Sequence, residues 1–218
     1  MMAPNTSFSK GLAYLALLIM GGASYEPARA AEPTAQEIPP ALKQETVKRG
    51  KAITSETFGL LSSNLVSVLK TGGISNALPF CSAVASPLVG GVAKKHGVLL
   101  RRVTHKPRNP ANRANEAELK VLSQFEASLA ASTNLPQPMV VQWMPDQVTF
   151  LAPIVINNSV CLQCHGRVGK DLSPEQTGLI RRLYPQDEAT GFVTGQLRGI
   201  WRIDFPMSLL TAPKPSSN

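Results

Sequence analysis

Residues 161–165 place two thiols and one imidazole within five consecutive positions, in the order Cys161, Leu162, Gln163, Cys164 and His165. C-x-x-C-H is the sequence at which haem is attached to c-type cytochromes. The two thiols form thioethers with the vinyl groups of haem, and the adjoining imidazole becomes the proximal iron ligand. The site needs all three side chains. The motif therefore predicts one haem c, bound covalently through Cys161 and Cys164, with His165 on the iron.

Three other kinds of site use closely spaced cysteines: a thioredoxin-like redox pair, half of a zinc site, and a disulfide between the two thiols. A redox pair is expected after a strand and at the start of a helix in a βαβ unit, whereas this motif follows residues 157–159, Asn-Asn-Ser, which are typical of a loop. A zinc site needs further ligands, and the candidates, Cys81, His96 and His105, lie far upstream without paired spacing. We therefore favour haem over these alternatives.

The first thirty residues resemble an export signal, with Lys10 before an apolar run at residues 12–20 and an A-x-A cleavage site at residues 28–30. This pattern predicts a cleavable signal peptide and a periplasmic protein. An uncleaved anchor is the alternative, but the run is shorter than the ~20 residues that span a bilayer, so we expect no stable membrane insertion. The remainder predicts a flexible linker at residues 31–41, one domain at residues 42–210 and a disordered tail at residues 211–218.

The chain has 22 Lys and Arg residues against 14 Asp and Glu residues, a net charge of +8. A basic surface can bind nucleic acid, an anionic membrane or acidic proteins, and export argues against nucleic acid. Eight of the basic residues occur in four scattered pairs, including Arg101 and Arg102, without aromatic residues between them. We interpret these pairs as solvated faces, with a docking patch for an acidic redox partner as the alternative.

Apolar periodicity and turn residues predict helices and strands along the chain. Apolar residues recur at helical intervals from Leu42 to Lys70, where Gly72 and Gly73 end the run. A second helical stretch, in which Pro79 and Pro87 demand a break or a helix start, points Cys81 inward. The later predictions are a strand at residues 98–103, a loop at 106–114, a capped helix at 116–131, a hairpin of strands at 139–144 and 147–156, a helix from 173 to 183 and a strand at 199–205.

This order of elements predicts an α+β domain with a mostly antiparallel sheet, flanked by helices and preceded by a long N-terminal helix. An all-helical cytochrome c is disfavoured, because four separate strand signals would all have to be wrong.

The second axial position of the iron has few candidate ligands in this sequence. They are Cys81, His96, His105, Met139, Met144 and Met207. Each residue type has a common structural use, as core filler or as a hydrogen-bonded polar group. Cys81 differs because an unpaired thiol in an exported protein is a liability unless something occupies it.

The chain also resembles a family of exported single-haem c-type proteins with a PAS-like fold, which occur as free proteins and as sensor regions of bacterial kinases. The resemblance spans about residues 47–206. It rests on an alanine-rich helix around a cysteine (Ala77, Cys81, Ala83, Ala85), a turn at residues 106–112, a helix ending in Phe125 and Glu126, the C-L-Q-C-H-G motif, and a tail with Tyr184, Pro185, Asp187, Ala189, Gly191, Phe192, Gly195, Arg198 and Gly199.

The resemblance implies a PAS-like sheet flanked by helices, with Cys81 as the distal ligand of a haem held by Cys161, Cys164 and His165. A thiolate ligand stabilises ferric iron, so a low potential is expected, and its release on reduction would open a site for NO or CO. We therefore expect redox or small-gas sensing, or low-potential electron handling, with the signal passed to another protein. The alternative is a periplasmic electron-transfer cytochrome that docks an acidic redox partner.

No triad, metal-ligand cluster or phosphate loop accompanies the motif, so we expect no enzyme; a weak peroxidase would need an open distal site. Arg108 and Arg198 are the predicted partners of the haem propionates, because a guanidinium matches a carboxylate in a bidentate fork. The alternative for both is a structural arginine that ties the loop to the sheet. For Tyr184, packing on the haem edge competes with a core or turn role.

Overall fold

The structure, a computed structural model, describes residues 37–132 and 134–212. The predicted signal peptide, most of the predicted linker and most of the predicted tail lie outside these residues. Residues 37–39 precede the first helix, which begins at Pro40. The element order is α1 (Pro40–His96), β1 (Leu99–Val103), a short 3₁₀ turn (Pro110–Asn112), α2 (Glu116–Ala131), β2 (Met139–Met144), β3 (Gln147–Val155), α3 (Ser159–His165), α4 (Pro174–Leu183), β4 (Leu197–Pro206) and α5 (Met207–Thr211).

Helix α1 consists of two arms that meet at Gly72 and Gly73. Gly73 has φ 61° and ψ −157°, a conformation that is essentially restricted to glycine. Glu56 in the first arm bonds to Lys95 and His96 at the end of the second, at 2.7 and 2.8 Å. A straight helix would separate residues 56 and 95 by about 58 Å, so the second arm runs back along the first. The predicted stop at the glycine pair is confirmed.

The prediction of a break at Pro79 or Pro87 is wrong, because among residues 40–96 only the glycine pair leaves helical geometry. Each proline removes one backbone hydrogen bond, and the helix passes through both. One 18-residue window of α1 has a mean hydropathy of 1.3, and its length and composition fit a membrane span. In the structure this helix folds back on itself and packs on the sheet.

The four strands form one antiparallel sheet in the order β1-β4-β3-β2. Consecutive residues of β3 point to opposite faces, as the strand period requires. Phe150 packs on the face covered by α1, together with Ile53 and Ile203, and Leu151 packs on the face covered by α2, together with Phe125. Both faces are therefore covered, and the predicted α+β class with a long N-terminal helix is confirmed.

Local capping explains where the shorter helices begin. Asn115 and Glu118 form the predicted capping box of α2, and Ser173 and Gln176 form a second one at the start of α4. The hairpin of β2 and β3 is also confirmed.

The C-x-x-C-H motif lies in a short helix that follows a strand, which the sequence did not predict. The predicted loop before it is confirmed at residues 157–158, between β3 and α3. Asn158 begins α3 by accepting a hydrogen bond from the backbone N–H of Cys161 at 3.2 Å. Of the three residues predicted as a loop, only Ser159 belongs to the helix, because Asn158 is its N-cap, a position that asparagine favours. The antiparallel sheet is nevertheless unlike a βαβ unit.

Candidate functional site

Helix α3 presents the two cysteines of the motif from neighbouring positions on its surface. Cys161 and Cys164 are three residues apart, which places them next to each other on one helix face. Both side chains are half-buried, and both are free thiols. His165 is the last residue of the helix, and Gly166 follows it. A Cβ at Gly166 would lie 2.5 Å from the carbonyl oxygen of Leu162, so a larger residue does not fit at this turn without movement.

The end of α3 is fastened to the loop at residues 189–192 by three hydrogen bonds. The backbone N–H of Gly191 donates to the carbonyl of Gly166 at 2.8 Å, and that of Phe192 donates to the carbonyl of His165 at 2.9 Å. The third bond joins Nδ1 of His165 to the carbonyl oxygen of Ala189 at 2.8 Å. The Phe192 ring meets the imidazole edge to face, at 6.3 Å and 84°. These contacts fix the position and the tilt of the imidazole.

The Ala189 contact also fixes the tautomer of His165. A carbonyl oxygen can only accept, so Nδ1 carries the proton and Nε2 keeps its lone pair. Burial lowers the pKa of His165 well below its ordinary value, and the charges of Arg198 and Arg108 lower it further. The imidazole is therefore neutral at neutral pH, with Nε2 free to bind a metal, the arrangement that metal-ligating histidines use.

Cys81 lies on the second arm of α1, one turn after Leu78, and its side chain is half-buried. Leu78 belongs to a cluster with Leu172 and Ile180, and Cys164 packs against that cluster. Cys81 and Cys164 are close enough for the charge of one to affect the other. Burial raises the pKa of Cys164 to about 11, Arg108 opposes the rise, and Cys81 adds to it. The structure thus brings the predicted distal residue to the cysteines of the motif.

The other candidate axial ligands lie among different partners. Nε2 of His96 is 2.8 Å from Glu56, and His105 is 3.7 Å from Glu126. Met139 packs on the α2 side of the sheet, Met207 packs on the α1 side, and Met144 is exposed. Within residues 37–132 and 134–212, no group of three or more His, Cys, Asp or Glu side chains is placed to hold a metal ion.

Arg108 joins the motif to the segment after α4. Its Nε donates to Asp187 at 2.9 Å and its Nη2 donates to the carbonyl of Cys164 at 2.7 Å. Both side chains of the ion pair are largely buried, at 12% and 6% exposed. Its guanidinium also lies over the ring of Tyr184, 5.5 Å from the centroid. Asp187 was not expected at the site, because a single carboxylate carries no spacing signal in the sequence.

Arg198 is the extra residue of a β-bulge in β4. Ile154 pairs with Gly199 and Val155 pairs with Leu197, so Arg198 has no partner in the ladder. Its Nη1 donates to Thr104 Oγ1 at 3.2 Å and to the carbonyl of Lys106 at 3.1 Å. Its Nε is buried without a hydrogen-bond partner among the described residues. Burial lowers the pKa of Arg198 to about 9, with Arg108 and Arg102 adding to the effect.

Arg102, interpreted from the sequence as half of a solvated pair, lies at this site. Burial lowers the pKa of its guanidinium, and the nearest groups that oppose this effect are Cys81 and Tyr184. The signal that could have identified it is its place in β1. Adjacent residues on a strand point to opposite faces, so a pair such as Arg101 and Arg102 sends one side chain to each face of the sheet.

The chain is similar to a known protein family and to a solved structure. The family model described as Tll0287-like matches residues 26–206 of the chain. A solved structure titled "Crystal structure of the cyanobacterial heme-protein Tll0287" is 26% identical, with a TM-score of 0.50. The match covers 73% of this chain and 95% of that one. No curated protein matches the chain.

Proposed function

Because the chain belongs to the Tll0287-like family, we propose that it binds one haem c, attached covalently through Cys161 and Cys164 and ligated by His165 and Cys81. The solved relative is described as a haem protein, and nearly all of its length is matched here. The proposed cofactor supplies a redox-active iron. The residues of this chain would hold that iron in place and provide its axial ligands.

The observation that carries this proposal is the contact between Nδ1 of His165 and the carbonyl of Ala189. It leaves Nε2 as the available nitrogen and holds the ring still, as a proximal ligand requires. Cys161 and Cys164, on the same helix, present the two thiols that thioether attachment needs.

The buried charges near the motif fit a cofactor that carries carboxylates. Arg198 has a buried Nε without a hydrogen-bond partner in the described part of the chain, and such a donor is costly unless something accepts from it. Arg108 and Arg198 are the predicted propionate partners, and both influence His165. A ring with two carboxylates therefore suits the charges near the motif.

For Cys81 we propose the distal position, because it lies on α1, a different element from α3, one turn after Leu78, whose cluster Cys164 packs against. Thiolate ligation favours ferric iron and a low potential. We therefore propose redox or small-gas sensing, or low-potential electron handling, in the periplasm. The electron-carrier alternative remains an outcome of the test.

The test begins with the full chain co-expressed with a cytochrome maturation system. A mass above that of the bare processed chain by one haem, with a pyridine haemochrome spectrum typical of two thioethers, is the expected result. Colourless protein with the bare mass would refute haem attachment.

Redox titration of that holoprotein then separates the two functions. Sensing predicts a low midpoint potential and reversible binding of NO or CO to the ferrous form. Rapid, salt-dependent electron exchange with an acidic partner, without gas binding, would support the carrier instead.

A further inference from the structure

We propose that Arg102 and Arg198 bind the carboxylates of the haem propionates, whereas Arg108 is a positioning residue that holds the C-x-x-C-H helix against Asp187. This division of roles rests on the proposed haem binding. It adds Arg102 to the site and separates two arginines that the sequence treats alike.

The first argument is the local charge. The groups whose charges act on Arg198 are Arg108, Arg102 and Asp187. Three guanidinium charges against one carboxylate leave an excess of two positive charges. The charges of all three arginines also lower the pKa of His165. Haem carries two propionates, whose charges match this excess.

The second argument is the number of donors still available. Arg108 uses Nε and Nη2 on Asp187 and on the carbonyl of Cys164. Arg198 uses only Nη1, and its Nε is buried and unpartnered among the described residues. No hydrogen bond to another described residue involves the guanidinium of Arg102. Arg108 thus has only Nη1 without a described hydrogen-bond partner, whereas Arg198 has both Nε and Nη2 and Arg102 has its whole guanidinium.

The third argument is the position of the Arg198 side chain, which depends on the backbone of β4. The bulge in β4 depends on Gly199, because a Cβ there would lie 2.5 Å from the carbonyl oxygen of Val103. The guanidinium of Arg198 lies over the Phe192 ring, 5.3 Å from its centroid, and that ring contacts His165. Arg198 is thus held beside the proposed proximal ligand by the Phe192 ring and by its hydrogen bonds to Thr104 and Lys106. The exposed Lys106 also reaches this ring, with Nζ 5.6 Å from the centroid.

The experiment compares two porphyrins that differ only in their carboxylates. Ferric mesoporphyrin IX keeps both propionates but has ethyl groups in place of vinyls, so it binds reversibly without thioether formation. Its dimethyl ester has neither negative charge. Both are titrated into the full chain produced without a maturation system, and the ratio of the two Kd values is measured.

Wild type is expected to bind the diacid more tightly than the diester. Arg198→Gln and Arg102→Gln should each reduce that preference about tenfold, the size of one charge-assisted hydrogen bond. Arg108→Gln should weaken both porphyrins by the same factor, leaving the ratio unchanged. Arg181→Gln, at an exposed position of α4, is the matched control and should change neither Kd.

Circular dichroism checks that each variant folds. If Arg198→Gln does not fold, Arg198→Lys replaces it, because lysine keeps the positive charge but cannot form the bidentate hydrogen bonds of a guanidinium. Equal affinity of wild type for both porphyrins would overturn this assignment and leave haem binding intact. A lowered ratio in Arg108→Gln, or an unchanged ratio in Arg102→Gln, would also overturn it. Binding of neither porphyrin would refute the proposed function and this assignment together.

Discussion

Arg108 and Asp187 form a largely buried ion pair, with Nε and Oδ1 2.9 Å apart, that joins the loop after β1 to the segment after α4. Asp187 also accepts from the backbone N–H of Ala189 at 3.1 Å. The carbonyl of Ala189 in turn holds His165. One carboxylate therefore supports the imidazole through a single intervening residue.

Asp187→Asn should lower the free energy of unfolding by about 3 kcal/mol, because it leaves the buried charge of Arg108 without its partner. Urea denaturation of the full chain measures this loss. The matched control is Glu188→Gln at the next position, whose exposed pair with Arg113 is worth less than about 1 kcal/mol. Equal effects of the two substitutions would contradict the special role of Asp187.

Cys81→Ala should convert the ferric holoprotein from a low-spin spectrum to a high-spin or water-ligated one, because the proposed thiolate ligand is lost. Soret absorption and EPR spectroscopy detect this change. Ser86→Ala, at an exposed position of the same arm, should leave both spectra as in wild type. If the Cys81 variant keeps the wild-type spectra, another residue occupies the distal position.

Gly50→Ala should destabilise the protein by about 1–3 kcal/mol, the usual effect of overpacking a core. A Cβ at position 50 would lie 2.4 Å from the ring of Phe150, where α1 crosses the sheet. Gly90→Ala, in the other arm of α1, meets no atom within 4 Å and should stabilise by about 1 kcal/mol. Thermal and urea unfolding of the two variants should therefore shift in opposite directions.

Glu56→Gln should remove a pH-dependent part of stability. Lys95 and His96 hold the pKa of Glu56 below its usual value of 4.5. A carboxyl whose pKa is lower in the folded state than in the unfolded state stabilises the fold at pH values above the unfolded-state pKa. This contribution is lost as the pH falls through the folded-state pKa. Wild type and variant should differ above pH 4.5 and converge below it in urea titrations. A constant difference down to the acid limit would contradict the ion-pair explanation.

Much of the fold follows from short-range signals. The capping box of Asn115 and Glu118 predicted where α2 begins, and the glycine pair predicted where the first arm of α1 ends. These signals act within a few residues of the chain and need no tertiary information. Pro79 and Pro87 were misleading, because the packing of α1 tolerates two missing backbone hydrogen bonds.

The site was predictable only in part. Cys161, Cys164 and His165 form a contiguous motif, whereas Cys81 was identified by resemblance and Arg102 was assigned to solvent. Asp187 and Arg102 act through neighbours that are distant in sequence, Arg108 and Cys81. No local period encodes such pairs, so only the folded arrangement of β1, α1 and the segment after α4 reveals them.

The glycine pair in α1 has a mechanical consequence for the residue that it precedes. Cys81 lies on an arm that begins after Gly73 and is held at its far end by Glu56. His165 is clamped to a separate loop. The separation of these two side chains is therefore set by how the second arm of α1 packs against α3 and α4, and by the contacts that hold the arm at both ends.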